Sequence, residues 1–208
     1  MTNLQRAVIV LFIVVTHSVC GQEAEQGTKK KLEYPSPDGQ FAFRTTGDAD
    51  SENQTYHLVE KRSGKLLMSV AEFDSDIGPS ARFDLEVLWR PDSKAFALTA
   101  TLWKRGSEVS VYVRDGSTFR KIKLPELEAD IPEKVMKGRE FPHVVELSSQ
   151  SAKKWQKDGS LVVEIESIQD GNEEGLTATA NRTVVLGFDQ SGKAKVRKST
   201  IKYKVEKE

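Results

Sequence analysis

Three stretches of this chain repeat one pattern, and that repetition limits the fold more than any other feature. They are Tyr34 to Phe43 (YPSPDGQFAF), Leu88 to Leu98 (LWRPDSKAFAL) and Trp155 to Val163 (WQKDGSLVV). Each runs from a bulky residue through a tight turn centred on Asp into an apolar strand. Proline presets φ in such a turn, the Asp side chain accepts backbone hydrogen bonds, and glycine tolerates a positive φ. A second turn follows each stretch, at Ser63-Gly64, Asp115-Gly116 and Ser191-Gly192. From Asp38 to Gly64, Asp92 to Gly116 and Asp158 to Gly192 the separations are 26, 24 and 34 residues. The longer third spacing predicts an insertion at the polar segment 169–175. Two hairpin turns per unit imply four antiparallel strands per unit.

These units resemble the blades of TolB-type, WD40-like β-propellers. The resemblance rests on SPDGQFAF at 36–43, WRPDSKAFAL at 89–98 and the second-turn sequences SGK and DGS. It covers 34–71, 86–124 and 153–198. Trp89 and Trp155 match the aromatic residue that leads a blade turn, whereas Tyr34 stands one place early. Closed propellers use at least four blades, and three are visible. Three architectures are therefore open: a sandwich or twisted stack of meanders, a partial propeller closed to six blades by a second copy, or a small propeller with one unread blade. The first is preferred, because 187 residues close a core without a partner. The expected fold is all-β, with antiparallel meanders of three blade-like four-stranded units (34–71, 86–124 and 153–205 within one domain, 34–208) and one short linker helix. That helix is expected at 131–137 in the proline-bounded segment 125–142, where Ile131, Val135 and Met136 form an apolar stripe and Gly138 is the stop.

Residues 1–21 read as an export signal, with Arg6 ahead of the apolar run Ala7 to Val15 and a small, polar stretch to Gly21. Nine apolar residues suit a signal core and are too few for a membrane span. Residues 22–33 are expected to be a flexible segment. The protein is thus read as exported, periplasmic or secreted, with no transmembrane span in the mature chain. Cys20, the sole cysteine, offers lipidation as the lesser option, since Val19 precedes it where a small residue is usual. A single cysteine excludes a disulfide scaffold. The chain carries 31 basic and 31 acidic residues. That balance removes a whole-chain argument for nucleic acid.

Catalytic signatures are sparse. His17 leaves with the signal, while His57 and His143 lie at expected strand positions with no nucleophile elbow such as G-x-S-x-G beside them. Glu72, Asp74 and Asp76, with Asp84 nearby, form the densest carboxylate group. Two of them suit acid and base roles in glycoside cleavage, or oxygen ligation of calcium, although a solvated acidic strand end is the ordinary role of such a group. Lys202 and Lys204 belong to a basic final strand that would attract acidic polysaccharide or lipid, or guard a sheet edge against aggregation. No metal site, no cofactor and no catalytic residue is expected. The sequence points to an exported, non-catalytic β-repeat protein that binds a protein or glycan partner. A glycan hydrolase using the carboxylates around 72–84, or an oligomerising subunit that forms a homodimer, is the alternative.

Overall fold

The structure is a computed structural model that describes residues 32–46, 55–70, 83–102, 106–189 and 191–207. The expected signal 1–21, Cys20, Glu72, Asp74 and Asp76 lie outside the described residues. Among the described residues twelve strands form three four-stranded antiparallel meanders. The first contains β1 (Leu32–Glu33), β2 (Phe41–Thr46), β3 (Thr55–Glu60) and β4 (Leu66–Val70). The second contains β5 (Phe83–Trp89), β6 (Ala95–Leu102), β7 (Gly106–Asp115) and β8 (Thr118–Ile122). After the helix α1 (Glu133–Met136) comes the third, with β9 (His143–Trp155), β10 (Leu161–Asp170), β11 (Leu176–Phe188) and β12 (Ala194–Lys207). In each sheet the strands lie in chain order, as expected of hairpin-linked strands.

The repeated turn folds the same way each time. Asp38, Asp92 and Asp158 accept, through Oδ1, the amide of the residue two places on, at 3.0 Å in all three. The residue after each Asp is left-handed: Gly39 at φ 69°, Ser93 at 58° and Gly159 at 78°. The second-turn glycines, Gly64, Gly116 and Gly192, also have positive φ.

The sheets stack face to face, with the second in the middle and buried on both sides. Strand β6 shows why. Phe96, Leu98 and Ala100 face the first sheet, where they meet Phe41, Phe43 and Leu58. Ala97 faces the third sheet, against Val163, Ala180 and Leu186. Two buried faces demand a largely apolar run rather than alternation, and AFALTATL, interrupted only by Thr99 and Thr101, supplies it. Burying one Leu- or Phe-sized side chain contributes about 1.5–3 kcal/mol.

Trp89 and Trp155 repeat a further device. The indole N–H of Trp89 donates to the Tyr34 carbonyl at 2.9 Å, and that of Trp155 donates to the Leu88 carbonyl at 3.0 Å. Each acceptor lies four residues before the turn Asp of the preceding unit. Every unit after the first is therefore fastened to its predecessor at an equivalent backbone position.

Three details differ from the sequence reading. The third unit has no inserted loop of seven residues: β10 and β11 pair without interruption from Leu161 opposite Leu186 to Asp170 opposite Thr177, so the extra length is shared between longer strands and turns. Segment 125–142 is more than a helix. Leu127, Ala129 and Ile131 alternate inward from an extended chain into the core between the second and third sheets, and only 133–136 is helical. Leu32 and Glu33, placed in the flexible segment, pair with Arg44 and Phe43. Among the described residues no helix is long and apolar enough to cross a membrane.

Candidate functional site

The turns of the second and third sheets converge at one end of the stack, where they border a groove of about 510 Å³. Arg90, Lys94, Arg114 and Arg120 line it from the second sheet; Asp158, Gly159, Phe188, Asp189 and Gly192 line it from the third. The volume falls within the range of small-ligand sites.

Its charged groups differ in how far they are already satisfied. Arg90 is held by Asp92 through two bonds of 2.7 and 3.0 Å, and its guanidinium lies over the Trp155 ring. Arg120 crosses the groove to donate to the Ser191 carbonyl at 2.6 Å and lies 3.5 Å from the Asp115 carboxylate. Gly192 makes that crossing possible, because a Cβ there would stand 2.8 Å from Arg120 Nη2. Arg197 reaches Asp158 at 2.8 Å by lying across Gly187, where a Cβ would be 1.9 Å from its Nε. Lys94 and Arg114 are different. Among the described residues neither has a carboxylate in salt-bridge contact. Arg114 donates from Nε to the Gly116 carbonyl at 3.3 Å and lies over the Phe41 ring. Its backbone N–H bonds the Lys94 carbonyl at 2.8 Å, so two cations end neighbouring strands together. Like charges so placed repel, and the Asp38 carboxylate near Arg114 and the Asp92 carboxylate near Lys94 offset that repulsion.

The groove carboxylates remain ionised below the usual range. The Ser160 hydroxyl and amide hold Asp158 down, with Arg197 adding its charge against slight burial. The Ser191 hydroxyl does the same for Asp189, helped by the amides of Lys193 and Ser191. Asp189 takes these bonds on Oδ1, and among the described residues Oδ2 accepts none. Phe188, packed on Trp155 with ring centroids 5.7 Å apart, adds an apolar wall.

The residues singled out from sequence are not gathered here. Asp84 sits on β5 opposite Thr101. Lys202 and Lys204 are exposed on β12, the edge of the third sheet, opposite Asn181 and Thr179. Lys204 pairs with Glu206 at 2.5 Å. His57 lies between the hydroxyls of Thr46 and Ser69, each at 3.0 Å, on the first sheet, and His143 is exposed at the start of β9. Among the described residues no three His, Cys, Asp or Glu side chains are grouped to hold a metal ion. The four groove cations share the second sheet, and only stacking brings them beside Asp158 and Asp189 of the third, which the sequence does not show. The turn motif itself, three times at one end, was the available signal. Comparison with known proteins gives no match to a family, to a curated protein or to a solved structure.

Proposed function

We propose that this is an exported, non-catalytic binding protein that recognises a protein or glycan partner at the cell envelope or outside the cell. It uses the turn end of a propeller-like stack of blades. The observation that carries the reading is the groove of about 510 Å³ at the turn end of the second and third sheets, which Arg90, Lys94, Arg114 and Arg120 line. Turn ends on a rigid β scaffold are a common place for recognition, since side chains there change without disturbing the core.

The test is capture of partners from native envelope and secreted material by the mature chain and by the double variant Lys94→Glu/Arg114→Glu. A partner retained by the first and lost by the second supports the reading. Equal retention by both moves the site elsewhere and overturns it.

A further inference from the structure

We propose that the free edge of β12 takes up an extended acidic segment of a partner protein as an added strand; this surface is separate from the groove and does not rest on it. At 14 residues β12 is the longest strand among the described residues, and it contains neither proline nor glycine. It is the outermost strand of the third sheet, with β11 along one side and, among the described residues, no strand along the other. Natural sheets keep bare edges short, break them with proline or point charges inward from them. On β12 the core-facing positions are apolar instead. Val196, Ile201 and Tyr203 stand opposite Leu186, Arg182 and Ala180, yet they expose 38, 37 and 37% of their surface. Arg182 is itself taken up by the Glu128 carbonyl and the Ser199 hydroxyl.

The other face of β12 is basic. Lys198, Lys202 and Lys204 lie opposite Val185, Asn181 and Thr179, none of which carries a charge. Lys204 meets Glu206, whereas Lys198 and Lys202 make no ion pair among the described residues. Opposite charges on facing strands attract and like charges repel, so the row selects what can pair beside it. A second copy of β12 would set one lysine row against another. A sulfated glycan answers the lysines but brings no main chain to pair and leaves Ile201 and Tyr203 in water. An extended chain in which acidic and apolar residues alternate meets all three needs. Its main chain continues the ladder, its carboxylates lie beside Lys198 and Lys202, and its apolar side chains cover Ile201 and Tyr203.

The experiment titrates the protein into a blocked, dye-labelled Glu-Val-Glu-Val-Glu-Val-Glu peptide and reads anisotropy, with hydrogen exchange on the complex. The peptide is expected to bind, to slow amide exchange in β12, and to bind more weakly as salt rises. Exchanging two of its valines for proline should abolish binding, because proline cannot donate to the ladder. Lys198→Gln/Lys202→Gln should weaken binding roughly fivefold, the scale of two exposed ion pairs. Both side chains are exposed, so the variant keeps the fold, which a melting curve checks; Lys202→Gln alone should show a smaller loss. Equal binding of the proline peptide, or binding without slowed exchange in β12, overturns strand addition. A heparin oligosaccharide that binds more tightly than the peptide assigns the edge to a glycan and overturns the proposal. So does a dimer in sedimentation that the peptide dissociates, which assigns the edge to a second copy. No binding, or binding unchanged in the double variant, overturns it as well. None of these outcomes bears on the groove, which the capture experiment with Lys94→Glu/Arg114→Glu tests separately.

Discussion

The two junctions between sheets use one fastening and two kinds of core. Between the first and second sheets the core is aromatic: Phe41, Phe43, Phe96, Tyr112, Phe119 and Trp89 form a continuous set of edge and stacked contacts with centroids 4.9–6.2 Å apart. Between the second and third it is made of Ala, Val, Leu and Ile, with segment 127–131 filling the gap. Polar bonds reinforce this second junction. The Ala152 amide donates to Thr99 Oγ1 at 3.1 Å, Ser107 Oγ donates to the Gln150 carbonyl at 2.6 Å, and the Val109 amide meets Gln150 Oε1 at 3.2 Å. Large rings fill volume with few residues. Side chains of one sheet bond the main chain of the next at the first junction too, where Tyr34 Oη donates to the Leu85 carbonyl at 2.8 Å and Thr118 Oγ1 to the Leu67 carbonyl at 3.4 Å, so the difference between the junctions lies in the side chains of the core.

The largest effect should come from emptying the aromatic junction. Phe96→Ala is expected to cost about 3–5 kcal/mol in denaturant unfolding, because Phe96 is wholly buried among four rings. Its neighbour Ala97 faces the other junction. Ala97→Leu is expected to cost about 1–3 kcal/mol through overpacking against the third sheet. If Ala97→Leu were neutral, the second junction would hold spare volume and the contrast between the two cores would fail.

The shared fastening should matter less and should matter alike. Trp89→Phe and Trp155→Phe each remove one indole-to-carbonyl bond, at an expected cost of about 0.5–1.5 kcal/mol plus lost packing. Trp155, whose bond is the more buried, should be the costlier. Unfolding free energies of the two variants and their combination check this: the residues serve different junctions, so the costs should add.

Acid should loosen the turns on both sides. Burial raises the Asp38 and Asp92 carboxyls, but bonds from Ser36 and Gln40, and from Arg90 and Lys94, outweigh it and hold both below the ordinary 3.8. Asp158 and Asp189 are lowered as well, chiefly by Ser160 and Ser191. A lowered carboxyl stabilises the fold above the unfolded-chain value and loses that contribution as pH falls through the folded one. Melting temperature should therefore drop as pH falls below about 4, and an Asp92→Asn/Asp158→Asn variant should show a shallower drop.

Much of this was legible because each turn writes itself locally. An Asp two residues before an amide it can cap, then a Gly or Ser, needs no distant partner, so all three turns and the four-strand period were readable. Segment 125–131 also carries a strand-like signal, the alternation of Leu127, Ala129 and Ile131 with Glu126, Glu128 and Asp130, which overlaps the proline-bounded helix signal that follows. The indole bonds were not legible, since an acceptor carbonyl carries no side-chain identity. Neither was the groove, because Arg114 and Asp189 are joined only by how sheets stack.

The smallest effect separates the junctions at the turn itself. Ser93 stands where Gly39 and Gly159 stand in the other units, and it adopts φ 58° despite its Cβ. Such a conformation costs a non-glycine residue about 1 kcal/mol. Its hydroxyl accepts the Asp38 amide at 3.0 Å and so ties the first turn to the second, while Gly159 offers the second turn no such group and has only Arg90 Nη1 at 3.9 Å from its Cβ direction. In Ser93→Gly, relief of strain and loss of a bond of about 1 kcal/mol oppose each other, so unfolding free energy should change by less than about 0.5 kcal/mol. Hydrogen exchange at the Asp38 amide should nonetheless quicken, since its acceptor is gone. Stabilisation by 1 kcal/mol or more would show that the bond between the first two turns contributes nothing, and that the aromatic core and the Trp89 bond hold that junction without it.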